Sequence, residues 1–87
     1  MKGKRMTTPT IHLNGTSKQG LGEPLLAAYD KLSEAYVALK ETAPNGRDYY
    51  PQGPQAMQTA TDEHMSRLRR VDEVRAEIEQ LLIAIDY

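Results

Sequence analysis

Apolar and aromatic side chains recur at Leu25, Tyr29, Leu32, Tyr36, Leu39 and Ala43, in alternating steps of four and three. Such steps lay one stripe along one face of an α-helix, and the strict alternation is a heptad seam. The pattern predicts a helix over 24–43. Pro24 suits its first turn, where a missing N–H costs nothing, and Pro44 with Asn45-Gly46 stops it. A second seam runs through Ala56, Met57, Ala60, His64, Leu68, Val71, Val74 or Arg75, Ile78, Leu81 or Leu82, and Ile85. It predicts a helix over 55–86, about 45 Å long at the usual rise. Glu63 with Arg67, and Arg75 with Glu79, are expected ion pairs on its outer face. His64 falls on the seam and reads as a core or interface histidine.

Two seams joined by the connector 44–54 predict an all-α fold. Its architecture is an antiparallel two-helix hairpin with an irregular N-terminal segment, self-associating into a homo-oligomer. Residues 11–87 form a single helical-hairpin domain, and 1–10 a flexible basic arm. Self-association is expected because one buried stripe per helix is a thin core for so short a chain. A second stripe (Val74, Leu81, Ile83) and the tyrosines would pack on another copy.

Composition narrows the chemistry. The 87 residues hold no Cys, Trp or Phe, which excludes disulfides, cysteine-ligated zinc and a cysteine nucleophile. The longest apolar run, Leu81–Ile85, is far short of the ~20 residues that span a bilayer. Met1–Arg5 is followed by polar residues where a signal peptide would be apolar, so an intracellular protein without a membrane partner is expected. The net charge of −1 is an average. Lys2, Lys4, Arg5 and Lys18 stand without an acid in 1–20, whereas 21–87 carries seven basic and twelve acidic residues. No helix has a continuous basic face, so duplex nucleic acid is not an expected partner. The only histidines, His12 and His64, lack metal-ligand spacing. No nucleophile–base–acid set has local support, so neither a cofactor nor catalysis is expected.

Two polar segments remain. His12-Leu13-Asn14-Gly15-Thr16-Ser17-Lys18 holds an Asn-Gly turn with positive φ and hydroxyls able to cap a following helix. It reads either as a plain turn and cap, or as a concavity of N–H groups, hydroxyls and a lysine that binds an anion. In the connector, Asn45-Gly46-Arg47-Asp48-Tyr49-Tyr50 offers rings that stack on bases and a guanidinium that pairs with phosphate. Asp48 is expected to hold Arg47. One tyrosine is expected to pack and the other to face solvent, as neighbours on an extended loop do. Twenty helical residues place the segments about 30 Å apart, so only assembly could bring them to one ligand.

Ile-His-Leu-Asn-Gly-Thr-Ser-Lys at 11–18, Ala-Pro-Asn-Gly-Arg-Asp-Tyr-Tyr-Pro-Gln-Gly at 43–53, and the second helix with His64 and Arg67-Leu68 resemble a set of small bacteriophage and prophage proteins. The likeness covers about 11–85 and leaves out the arm. The architecture is also similar to phage anti-CBASS and anti-Thoeris sponges, oligomeric hairpins that sequester nucleotide immune signals between protomers. Their ligand-contacting residues have no evident match here, so this likeness is one of architecture. It implies an anti-defence protein in the cytoplasm of a bacterial host, holding a cyclic oligonucleotide or cyclic ADP-ribose-type ligand without cleaving it. Under that reading Tyr49 or Tyr50 stacks on a base and Arg47 and Lys18 meet phosphate. Asn14, Thr16 and Ser17 donate hydrogen bonds, and His12, Gly15, Asn45 and Asp48 complete the two segments. The alternatives are an inhibitor that docks a basic host factor through Asp62, Glu63, Asp72, Glu73, Glu77 and Glu79, or a purely structural hairpin.

Overall fold

A computed structural model describes residues 6–87; the basic residues Lys2, Lys4 and Arg5 of the expected arm lie outside them. Three helices follow in order: α1 (Lys18–Lys40), α2 (Gly46–Tyr49) and α3 (Pro54–Ala84), with a 3-10 turn at Tyr50–Gln52 between the last two. The long pair, α1 and α3, forms the hairpin. The chain's principal extents are 62 × 26 × 15 Å, and α1 and α3 pack side by side in a single layer.

α1 begins at Lys18, six residues before the expected start at 24. Ser17 is the reason: its Oγ accepts the Gly20 N–H at 3.0 Å and closes the first turn. Pro24 therefore stands inside the helix, where its ring removes the bond to the Gly20 carbonyl. Gly20 is exposed, so water can meet that oxygen. The far end stops at Lys40, leaving Ala43 exposed beyond it.

The connector is folded rather than extended. Asn45 caps α2, its Oδ1 accepting the Arg47 N–H at 2.8 Å. Gly53, at φ 100°, then turns the chain into Pro54 at the head of α3, in a region that only glycine enters without strain. α3 ends in a Schellman motif. Tyr87 N–H donates to the Leu82 carbonyl and Asp86 N–H to that of Ile83, both at 3.0 Å, with Asp86 left-handed at φ 58°.

The expected seams are the packed faces. Leu25, Tyr29, Leu32, Tyr36 and Leu39 are half-buried on α1. On α3 and just past its end, Ala60, His64, Leu68 and Ile85 are buried. Among the described residues no large side chain is completely buried, as befits a single layer. Glu63 pairs with Arg67 at 3.9 Å. Arg75, however, turns to Asp72 at 2.8 Å rather than to Glu79.

Candidate functional site

The two polar segments occupy opposite ends of the hairpin, separated by the 23 residues of α1, about 34 Å at 1.5 Å each. At the N-terminal end most donors are already engaged. The Gly15 N–H donates to the His12 carbonyl at 3.1 Å, and the His12 ring sits so close that a Cβ on Gly15 would lie 2.7 Å from Nε2. Ser17 is committed to Gly20 as the helix cap. Lys18 Nζ donates to the Asp86 carbonyl at 3.2 Å and lies 3.9 Å from its carboxylate. Asn14 and Thr16 are exposed. The turn forms without a left-handed residue: among the described residues only Gly53 and Asp86 have positive φ. This segment ties the start of α1 to the end of α3, which the sequence pattern did not disclose.

The connector end is more open. Tyr49 is half-buried and Tyr50 is 76 % exposed, the expected division, although helical turns rather than an extended loop produce it. Arg47 and Asp48 are both exposed. The Arg47 guanidinium has no ion-pair partner among the described residues, Asp48 included, so the expected clamp is not formed. Tyr49 forms one wall of a surface depression of about 400 Å³, with Gln52, Gln55, Thr59 and Glu63 around it and Ala56 and Ala60 as its floor. Amides, a hydroxyl and an aromatic ring suit a small ligand carrying both polar edges and a flat face. The signal for these lining residues was in the sequence: the first turns of the second helix are polar on one side.

A second cluster, at the middle of the hairpin, was not anticipated. The Arg75 guanidinium lies 5.7 Å from the centre of the Tyr29 ring and 5.4 Å from that of Tyr36. It donates to Ser33 Oγ at 3.3 Å and to Asp72 Oδ1 at 2.8 Å. The hydrogen bond to Asp72 raises the Arg75 pKa, with smaller contributions from the two tyrosines. Lys40 extends the stack, 5.5 Å from the centre of Tyr36. Two rings flanking one fixed cation, with the acid beside it, pin α1 against α3 in one register. With the cation already engaged, the cluster is an internal tie rather than a ligand site.

His64 is buried at 5 % exposure, as its seam position implied, and its Nδ1 has no hydrogen-bond partner. Among the described residues no group of three His, Cys, Asp or Glu side chains could hold a metal ion. No described helix is long and apolar enough to cross a membrane. No known protein family, curated protein or solved structure matches the chain.

Proposed function

We propose that this protein is a self-associating hairpin of phage type that binds a nucleotide-like small molecule at its connector end and holds it without reaction. The observation that carries the reading is the unpartnered Arg47 and the exposed Tyr50 beside the Tyr49 depression. A cation for phosphate, a ring for stacking and amides for base edges stand within one short segment. The depression falls within the ~300–1,000 Å³ range of small-molecule sites, yet it is open on one side, as a pocket completed by another copy would be. The N-terminal segment contributes less directly, because Lys18 and Ser17 are already engaged.

The acidic-face alternative has less to rest on. Asp72 is taken by Arg75, Glu63 by Arg67, and Asp62 by an amide hydrogen bond from Gln58. That leaves Glu73, Glu77 and Glu79 as the acids available to a basic partner.

Calorimetric titration against cyclic dinucleotides, cyclic trinucleotides and cyclic ADP-ribose tests the reading. At least one is expected to bind and to be recovered intact. Arg47→Ala and Tyr50→Ala, both at exposed positions, should each weaken binding at least tenfold. No binding across the panel by folded protein overturns it, as does binding indifferent to both substitutions.

A further inference from the structure

We infer that the depression beside Tyr49 selects guanine over adenine, with Glu63 as the residue that discriminates. The inference rests on the nucleotide reading above and names the base that reading leaves open. Gln55, Thr59 and Glu63 line the depression at steps of four, so they share one line of α3 and span about 12 Å. Ala56 and Ala60 run along the next line, one residue on and about 100° round the helix. Their side chains end at Cβ, which leaves a shelf between the polar line and the half-buried Tyr49 ring. A flat base fits such a shelf with its face on the ring and its edge on the polar line.

The charge of the lining decides which end of a nucleotide enters. Glu63 is the one charged lining residue, so a phosphate is repelled there and belongs outside, where the unpaired Arg47 offers a cation. The same carboxylate then discriminates between bases. Arg67 balances its charge from 3.9 Å, beyond hydrogen-bond reach. No donor among the described residues bonds to it, whereas the neighbouring Asp62 already accepts the Gln58 amide at 2.9 Å. Glu63 therefore keeps open acceptor positions with its charge compensated, which favours a neutral donor edge over a ligand cation.

An ionised carboxylate only accepts hydrogen bonds. Guanine presents two adjacent donors, N1–H and the 2-amino group, that match its two oxygens. Adenine presents one donor, the 6-amino group, beside the N1 lone pair, which would face the carboxylate. The amides of Gln52 and Gln55 donate as well as accept. They serve the O6 and N7 acceptors of guanine but adapt equally to adenine, so the discrimination falls to Glu63. Its side chain is 60 % exposed, and water competition puts the effect at about tenfold, the low end for a hydrogen bond to a charged group.

Calorimetric titration of the full chain with cyclic di-GMP, cyclic di-AMP and cyclic di-IMP tests this, because the three share one sugar–phosphate ring and differ in the base. Cyclic di-GMP is expected to bind about tenfold tighter than cyclic di-AMP, and tighter than cyclic di-IMP, which lacks the 2-amino group. Glu63→Gln should bring the three within about threefold of one another, since an amide both donates and accepts. Ratios are read rather than affinities, because releasing Arg67 strengthens any phosphate contact equally. Glu73→Gln, the same change at an exposed acid outside the depression, should keep the preference. Circular dichroism checks the fold of both variants; the exposed Glu63–Arg67 pair contributes little to it. Should Glu63→Gln lose helicity, the inosine comparison on the wild type carries the test, and equal affinity for cyclic di-GMP and cyclic di-IMP overturns the inference. Cyclic di-AMP bound as tightly as cyclic di-GMP, or a guanine preference that survives Glu63→Gln, overturns it while leaving the nucleotide reading standing. Binding of none of the three, nor of cyclic ADP-ribose, overturns the nucleotide reading itself and this inference with it.

Discussion

Gly22 and Tyr87 sit 65 residues apart in the chain, yet the ring of one occupies the space a side chain on the other would take. Gly22 is buried inside α1, where alanine would ordinarily stabilise a helix by about 1 kcal/mol. Here the new methyl overlaps the Tyr87 ring, so the ring must leave. Tyr87 is 47 % exposed; its covered half is roughly 100 Å², worth about 2.5 kcal/mol. The loss exceeds the helix gain, and Gly22→Ala should destabilise by about 1.5 kcal/mol. The sign inverts without the ring. In a Tyr87→Ala background the same Gly22→Ala should stabilise by about 1 kcal/mol. Urea unfolding followed at 222 nm, at one fixed protein concentration, measures all four corners of the cycle. In heat, the single variant should melt about 8 °C below wild type, in line with ~4–8 °C per kcal/mol for a domain of this size. A Gly22→Ala protein more stable than wild type, or additive effects across the cycle, would refute the claim that this glycine is kept for the ring.

Three further outcomes follow from named contacts. His64→Leu should leave stability unchanged or raise it by about 1 kcal/mol, since the buried Nδ1 has no partner; a loss above about 2 kcal/mol in the same unfolding assay would mean the ring is hydrogen-bonded. Ser17→Ala should cost about 1 kcal/mol and speed amide exchange across the first turn of α1, whereas Ser17→Asp should restore the cap. Asp86→Gly should stabilise by about 0.5 kcal/mol by relieving a left-handed residue. The 3.9 Å ion pair it removes joins a fully exposed carboxylate to Lys18 and offsets little of that gain; a lower melting temperature would show otherwise.

Much of the hairpin was legible in the residue pattern. The 4-3 spacing from Leu25 to Leu39 marks the packed face of α1, and Pro44-Asn45-Gly46 marks the break, because these are local requirements of backbone geometry. That one of Tyr49 and Tyr50 packs and the other faces solvent was legible because adjacent residues seldom face the same way; which of them packs was decided by the fold. The depression beside them was not legible. It exists because the turn at Gly53 folds Tyr49 back over the first turns of α3.

The sequence alone determined the two helices, their stop and the amphipathic seams, through spacing rules that act within one or two turns. Tertiary structure decided what depends on which residues meet across the hairpin. It set Arg75 between Tyr29 and Tyr36, though spacing offered Glu79 just as well as Asp72. It engaged Lys18 at the far end of the chain. It fixed which flank of each helix faces which side, through the Arg75 hydrogen bonds to Ser33 and Asp72. The physical reason is that a helical period fixes directions around one axis only. How two such axes are aligned is settled by packing, and here by one cation held between two rings.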